Sequence, residues 1–310
     1  MSEALLQRIP DEVGYSRKIR KEHVHLTSEA GLIVTEWGHR GDMRFALKAV
    51  WPHRDGGVFP AHRGFGDPTV IAQTVRQSGL LIAHGAFGVP LSHQTLLQNL
   101  RFQIDQNHSL PYNKPTVLDV EVLCSAAGRR GVVLTGLRLD VFIVHEGQAV
   151  AWAEAEFSWV SPVVYHRLRG RHVTVRREQP PLPAPVAPRL VGRYDPADVV
   201  LAPTGEANRW LLRTDFGNKA YFDHPVDHVP GLVLVEAAHQ AARALSQPVP
   251  LEPISVSAGF SQYVEFDEPC WIEAAPVPTD SRLRTAVRVT GHQGGQQAFS
   301  TVLIGPAAAS

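Results

Sequence analysis

The sequence predicts an α+β protein built as a tandem repeat, two antiparallel sheets each wrapped around a long central helix. Three observations carry that reading. Residues 232–243 are apolar nearly all round, interrupted by Glu236, His239, Gln240 and Arg243, whose spacing places them on one helical face. Residues 69–81 form a second such run, with Gln73, Arg76 and Gln77 at the matching positions, each pair 163 residues apart (236 − 73, 239 − 76, 240 − 77). Each run follows a Pro-punctuated loop rich in polar groups, Ala61-His62-Arg63 to Pro68 in one case and Asp223-His224-Pro225-Val226-Asp227-His228-Val229-Pro230-Gly231 in the other. Self-similarity at a fixed offset marks a repeated structural unit.

At 310 residues the chain has room for two ordinary domains. Thirty basic and thirty acidic residues leave no net charge to favour nucleic acid or an anionic membrane, so neither is expected as a partner. Cys124 and Cys270 fall in different copies, which argues against a disulfide and for a reducing compartment. With no leader-like N-terminus and no long apolar run, a soluble cytoplasmic protein is expected.

Taken in order, residues 1–21 read as a polar N-terminal arm, 22–160 as the first repeat, 161–189 as a Pro/Arg-rich linker and 190–310 as the second repeat. Val24-His25-Leu26 and residues 31–37 read as strands, Gly38 to Asp42 as a turn, and 45–51 as the returning strand. The first helix is expected over 68–84, opened by Pro68 and stopped by Gly85. Strands follow at 95–104, 116–125, 131–144 and 149–159, with turns at Gly128 to Gly131 and at Glu146-Gly147-Gln148. The stretch Gln179-Pro180-Pro181-Leu182-Pro183 has to be extended. In the second repeat, strands are expected near 199–201 and 210–214, the helix over 230–245, and strands near 254–264, 271–275, 283–289 and 297–304. A single helix per half that is apolar nearly all round has to be enclosed by its own sheet. The hotdog fold does this, and the chain therefore reads as a tandem (double) hotdog whose sheets pair as those of a hotdog dimer do.

These segments also resemble a known family. Asp227-His228-Val229-Pro230-Gly231 with Glu236-Ala237-Ala238, the Val24-His25 region, the helix after Asp67-Pro68 with Thr74-Val75-Arg76-Gln77, and Gly88-Val89-Pro90-Leu91-Ser92-His93-Gln94 are similar to the A-factor biosynthesis hotdog family. The resemblance implies an acyltransferase of actinobacterial signal synthesis. It would condense a β-ketoacyl chain, carried as an acyl-carrier-protein thioester, with the hydroxyl of dihydroxyacetone phosphate, towards a γ-butyrolactone or furan-type signalling molecule. The chain departs from the pattern of the family it resembles at two positions associated with activity: Gln73 stands where Glu is usual, and His239 where Arg is usual. Gln73 cannot act as a base and His239 cannot present a permanent guanidinium fork. A changed acceptor or binding without catalysis therefore stay open beside the transferase reading, as does a hotdog thioesterase or dehydratase acting on acyl-carrier thioesters.

Acyl transfer to a hydroxyl needs a base, donors for the oxyanion and a tunnel for the chain. No Gly-x-Ser-x-Gly elbow and no Cys/His nucleophile arrangement is evident, so direct attack by the acceptor is expected. Related hotdog dehydratases, carried over by resemblance, imply that each site joins the loop of one repeat to the helix of the other. One site would combine the His62 loop with Glu236 and His239, the other the His224/His228 loop with Gln73 and Arg76. Glu236 is expected to act as the base or to orient His239, with Arg76 nearby. Glu236, His239, Gln73 and Arg76 are thus the candidate catalytic residues. His62, Arg63, Asp67, His224, His228, Gly231 and Arg243 are the candidate substrate-binding residues, the arginines for a phosphate and the backbone at Gly231 for a carbonyl oxygen. A polar seam in which Glu236, His239 and Arg243 satisfy one another is the bland alternative. His224 and the Asp227-His228 pair have ligand-type side chains, but Pro225 breaks a helical i, i+4 pairing and no metal is expected. No nucleotide fingerprint follows a strand, so no cofactor is expected. The assembly reads as a monomeric pseudo-dimer or a homodimer.

Overall fold

A computed structural model describes residues 17–52, 59, 67–108, 110–111, 114–130, 133–175 and 178–307. His62, Arg63, Gly131 and most of the N-terminal arm lie outside the described residues. The first half comprises β1 (Arg17–Lys18), β2 (Val34–His39), β3 (Arg44–Trp51), α1 (Pro68–Leu81), β4 (Gln94–Ile104), β5 (Thr116–Arg130), β6 (Val133–His145) and β7 (Gln148–Val160). After α2 (Pro162–Arg169) come β8 (Leu201–Pro203), β9 (Arg209–Leu212), α3 (Gly231–Leu245), β10 (Ser255–Phe260), β11 (Trp271–Val277), β12 (Arg284–Gln293) and β13 (Gln296–Pro306).

Among the described residues the strands form one antiparallel sheet in the order β1-β2-β3-β5-β6-β7-β4-β10-β13-β12-β11-β9-β8. The order is a palindrome about the β4–β10 seam, since β2, β3, β5, β6, β7 and β4 meet their counterparts β8, β9, β11, β12, β13 and β10 in reverse. Phe102 sits opposite Val256 and Leu100 opposite Ala258 across the seam, so the two half-sheets join by ladder hydrogen bonds as the sequence predicts. Each half curves around its own helix, and α1 and α3 pack together.

Why these helices form is local. Asp67 caps α1 by accepting from Thr69 N at 2.7 Å, and Pro68 occupies the first turn, where a missing N–H costs nothing. All of α1 is buried except Arg76, and two of its hydroxyls are satisfied by its own backbone: Thr74 donates to Val70 O and Ser78 to Thr74 O, each at 2.8 Å. Gly79 lets the helix lie against the sheet, because a Cβ there would come within 2.8 Å of the Phe157 ring. The helix closes in a π turn, Ile82–Ala86, that brings His84 inward.

Three segments differ from the sequence reading. Val24-His25-Leu26 is not a strand: a 3₁₀ turn, Lys21–Val24, ends on His25 in the left-handed region (φ 56°, ψ 45°). Val24 and Leu26 are both buried, so the alternation is real, but a turn delivers it. β5 runs on through Gly128 to Arg130, its register against β6 slipping at Gly128, so no turn begins at Gly128. The segment expected as linker starts with a helix, α2, capped by Ser161, and a 3₁₀ turn, Gly170–Val173; its described residues at 174–175 and 178–187 carry no helix or strand. No helix among the described residues is long and apolar enough to cross a membrane.

Candidate functional site

The turn before each β2-type strand repeats as the helices do. His25, Leu26 and Ser28 match Gly192, Arg193 and Asp195 at an offset of 167 (192 − 25, 193 − 26, 195 − 28). His25 and Gly192 are both left-handed, and Ser28 and Asp195 each cap the next short turn. Gln77 and Gln240 then pin the segment that follows. Gln77 accepts from Ile33 N and Val34 N (2.9 and 3.0 Å) and donates to Gly31 O (2.7 Å). Gln240 accepts from Val200 N (3.0 Å) and donates to Asp198 O (2.8 Å). The repeated glutamines are therefore structural.

On this shared frame two unlike clusters are built. In the first, Glu236 is fully buried and its carboxylate takes Arg193 side-on, with Nε at 2.7 Å and Nη2 at 2.5 Å. Thr69 Oγ1 (2.8 Å) and Gln240 Nε2 (2.5 Å) also donate to it, and His239 Nδ1 stands 3.9 Å away. Arg193 reaches across to Asp67 Oδ2 at 3.1 Å. Burial pushes the Glu236 carboxyl up, but the Arg193 guanidinium outweighs it and holds the group well below the usual range. Oxygens of Asp67 and Glu236 and a ring nitrogen of His239 lie within 4.8 Å of one another, which is metal-like spacing. The Arg193 guanidinium, in contact with both carboxylates, already supplies the positive charge such a group requires.

The second cluster is more open and involves both repeats. Arg76, half-buried on α1, donates to Gln73 Oε1 at 3.4 Å. Burial draws its pKa down to about 10, against the pull of Asp223. Asp223, from the loop before α3, holds Thr27 N (2.6 Å), Thr27 Oγ1 (2.7 Å) and Ser28 N (3.2 Å) and so ties the second repeat to the first. His224 follows it, and Arg76, His84 and His224 all act on His25. A cleft of about 400 Å³ opens at the π turn after α1, lined by Trp37, Met43, Phe45, Gly85 and Phe87 among others, and Gly85 is the lining residue next in sequence to His84 of the cluster.

The remaining expected residues fall elsewhere. His228 Nδ1 meets Asp227 Oδ1 at 2.7 Å, Tyr165 of α2 donates to Asp227 Oδ2 at 2.7 Å, and the His228 ring packs edge-on against Tyr263. Arg243 pairs with Glu252 rather than with Glu236 or His239, so the three-residue seam does not form. Gly231 opens α3, where a Cβ would meet the Phe260 ring at 3.9 Å, an ordinary contact. Arg76, expected beside Glu236, stands among the histidines instead: it lies about two turns, roughly 10 Å, further along α1 than Thr69, which meets Glu236. Of the residues expected to share a site with Gln73 and Arg76, His224 acts on His25 as Arg76 does, while His228 lies with Asp227 and Tyr165. Arg193 and His25 were missed. Aligning the turns at offset 167 would have exposed both, since each replaces a residue of quite different chemistry in the other copy.

The profile of the A-factor biosynthesis hotdog domain matches residues 10–161 and again 175–302. The chain belongs to that family. Within the A-factor biosynthesis hotdog family it is 41% identical over 285 residues to a 2-oxo-3-(phosphooxy)propyl 3-oxoalkanoate synthase of Streptomyces virginiae, covering 92% of this chain and 96% of that one. It is 37% identical over 284 residues to a synthase of the same name from Streptomyces coelicolor, covering 92% and 90%. Among solved structures it is similar to an oleoyl thioesterase so described from Lactobacillus plantarum (TM-score 0.54, 12% identity, 86% of this chain and 97% of that chain). The 12:0-ACP thioesterase of Umbellularia californica is comparable (TM-score 0.53, 10% identity, 87% and 100%). At such identities these two likenesses show the tandem hotdog fold and nothing of the chemistry.

Proposed function

We propose that this protein forms a 2-oxo-3-(phosphooxy)propyl 3-oxoalkanoate, an early step towards a γ-butyrolactone-type signalling molecule. The alcohol part of that ester is dihydroxyacetone phosphate less its hydroxyl hydrogen, which identifies the acceptor. The acyl part comes from a 3-oxoacyl thioester, and the donor is an acyl carrier protein in the cytoplasm, a reducing setting in keeping with the two free cysteines. The acceptor oxygen bonds to the thioester carbonyl carbon, the carbon–sulfur bond breaks, and the hydroxyl proton passes to the departing thiolate.

Arg76 is the observation that carries this reading. It is a desolvated cation at the meeting of the two repeats whose hydrogen bond goes to the neutral amide of Gln73, with imidazoles around it. Asp223 pulls on it without a hydrogen bond among the described residues, and a phosphate dianion supplies a direct anionic partner. Gln73, where the family pattern has Glu, keeps that cation available rather than neutralising it. In this reading Glu236 anchors Arg193 across the repeat interface and is not the base, and the 400 Å³ cleft seats the acyl chain.

Incubating the protein with a 3-oxoacyl thioester, with and without dihydroxyacetone phosphate, tests this by mass spectrometry. Acceptor-dependent ester is expected, whereas free acid formed equally without acceptor indicates a thioesterase. Arg76→Gln should raise the KM for the phosphorylated acceptor by about 10- to 100-fold, the loss of a charge-assisted contact of about 1.5–3 kcal/mol. An unchanged KM would remove Arg76 from phosphate binding.

A further inference from the structure

His25 occupies a position that should belong to glycine. Its counterpart in the second repeat is Gly192, at φ 72° and ψ 28°, whereas His25 holds nearly the same backbone shape at φ 56° and ψ 45°. For a side chain with a Cβ this conformation is strained, and such residues gather at functional sites. The first repeat keeps the imidazole although the fold accepts glycine there.

The ring is also fixed in one protonation form. His84 Nδ1 lies 2.7 Å from Val89 O, and a carbonyl oxygen only accepts, so His84 carries its hydrogen on Nδ1. With His84 neutral, its Nε2 is a lone pair. His25 Nε2, 2.8 Å away, must then donate to it. This leaves the lone pair of His25 on Nδ1, which has no hydrogen-bond partner among the described residues. The chain Val89–His84–His25 thus sets the tautomer from the backbone outwards. The charged and titratable groups facing His25 are Arg76 of α1, His84 of its closing π turn and His224 of the loop before α3, with Asp223 beside Arg76.

We propose that His25 Nδ1 accepts the proton of the attacking acceptor hydroxyl, in a tautomer imposed by Val89 through His84. The proposal rests on the transferase reading above. A phosphate on Arg76 holds a three-carbon acceptor so that its hydroxyl lies among the imidazoles facing that cation. His25 takes the hydroxyl proton on Nδ1 as the oxygen bonds to the carbonyl carbon, then returns it from Nδ1 to the leaving thiolate. No proton is gained or lost overall. Burial first, and then Arg76, draw the ring's pKa down to about 3 and keep it neutral in the resting protein; a phosphate bound to Arg76 offsets that cation's share and raises the basicity of Nδ1 for the transfer.

The test uses the full chain. His25→Gly reproduces the second repeat's residue, and should keep or raise Tm while lowering acceptor-dependent turnover by about 10²- to 10⁴-fold, with partial rescue by added imidazole. His25→Asn, which tolerates the left-handed turn, should behave alike. Turnover within twofold of wild type in both variants would overturn the proposal. So would ¹⁵N spectra of the resting protein showing His25 protonated on Nδ1 or titrating near 6.5. The kcat/KM profile of wild type should show no acid limb from this group above pH 5. In Arg76→Gln, where a Coulombic penalty on the imidazolium is gone, an acid limb should move upward. Wild-type protein that yields no ester from any 3-oxoacyl thioester fails the transferase reading, and the tautomer measurement then still decides the assignment of His25.

Discussion

At the scale of single residues, the lesson is that the same repeat position is put to two uses. Position 236 carries the buried carboxylate and position 73 a neutral amide, and the arginine that answers each comes from a different place, Arg193 on a turn and Arg76 on the helix itself. A buried ion pair contributes little net stability but is costly to break, because the survivor stays charged and desolvated. Arg193→Leu should therefore destabilise the protein by about 3–5 kcal/mol, with both Glu236 and Asp67 stranded, as read by chemical unfolding. The double variant Arg193→Leu with Glu236→Gln should recover part of that loss, and an equal or greater loss would sink the pairing as its cause. The pH dependence has a definite sign. The folded Glu236 carboxyl lies below its unfolded value, so its contribution is present above about pH 4.5 and is lost only as pH falls through the lower folded value. Acid titration from pH 7 to 5 should leave the interface intact, and unfolding driven by this group in that window would contradict the assignment.

At the scale of elements, the repeated turn and the repeated glutamine do the work of register. Gln77 and Gln240 satisfy backbone groups that the helix-facing turn leaves without ladder partners, and each is fully buried. Replacing either by Leu should cost about 1–3 kcal/mol for each buried backbone group left unsatisfied, measurable as a lowered midpoint in urea. The two losses should be similar in kind, whereas an effect on catalysis alone would mean that one glutamine serves the chemistry. This much was legible beforehand, since polar residues at i and i+4 in an apolar helix, twice over, mark something both copies need. The role was not legible. A glutamine on a buried helix face has the same spacing whether it binds substrate or pins a strand, and only the partners distinguish the two. The misread segment at Val24-His25-Leu26 has a similar cause: a left-handed residue between two buried ones gives the same alternation as a strand.

At the scale of the whole molecule, the halves are joined by the β4–β10 ladder and by side chains that cross between them, Asp67 and Thr69 to Arg193 and Glu236, and Asp223 to Thr27 and Ser28. Residues 17–160 expressed alone should not stay monomeric and folded, because the cut exposes the β4 edge and removes the partner of a buried carboxylate. A stable, monodisperse first half by sedimentation and proton NMR would show that the repeats are independent domains after all. The crossed contacts explain why the second cluster contains Arg76 and His25 from one repeat and His224 from the other.

By itself the sequence determined the duplication, the helix enclosed by antiparallel strands, the family and the residues on the buried helix faces, because periodicity and spacing are local properties of the chain. Tertiary structure decided which carboxylate is locked and which cation is left to bind, since that depends on Arg193 crossing the interface to reach Glu236 and Asp67. It also decided the state of His25, because the hydrogen position on that ring is set by a carbonyl at Val89, two hydrogen bonds and more than sixty residues away (89 − 25). Charge and tautomer follow from what a side chain touches, and contact between distant segments exists only once the chain has folded.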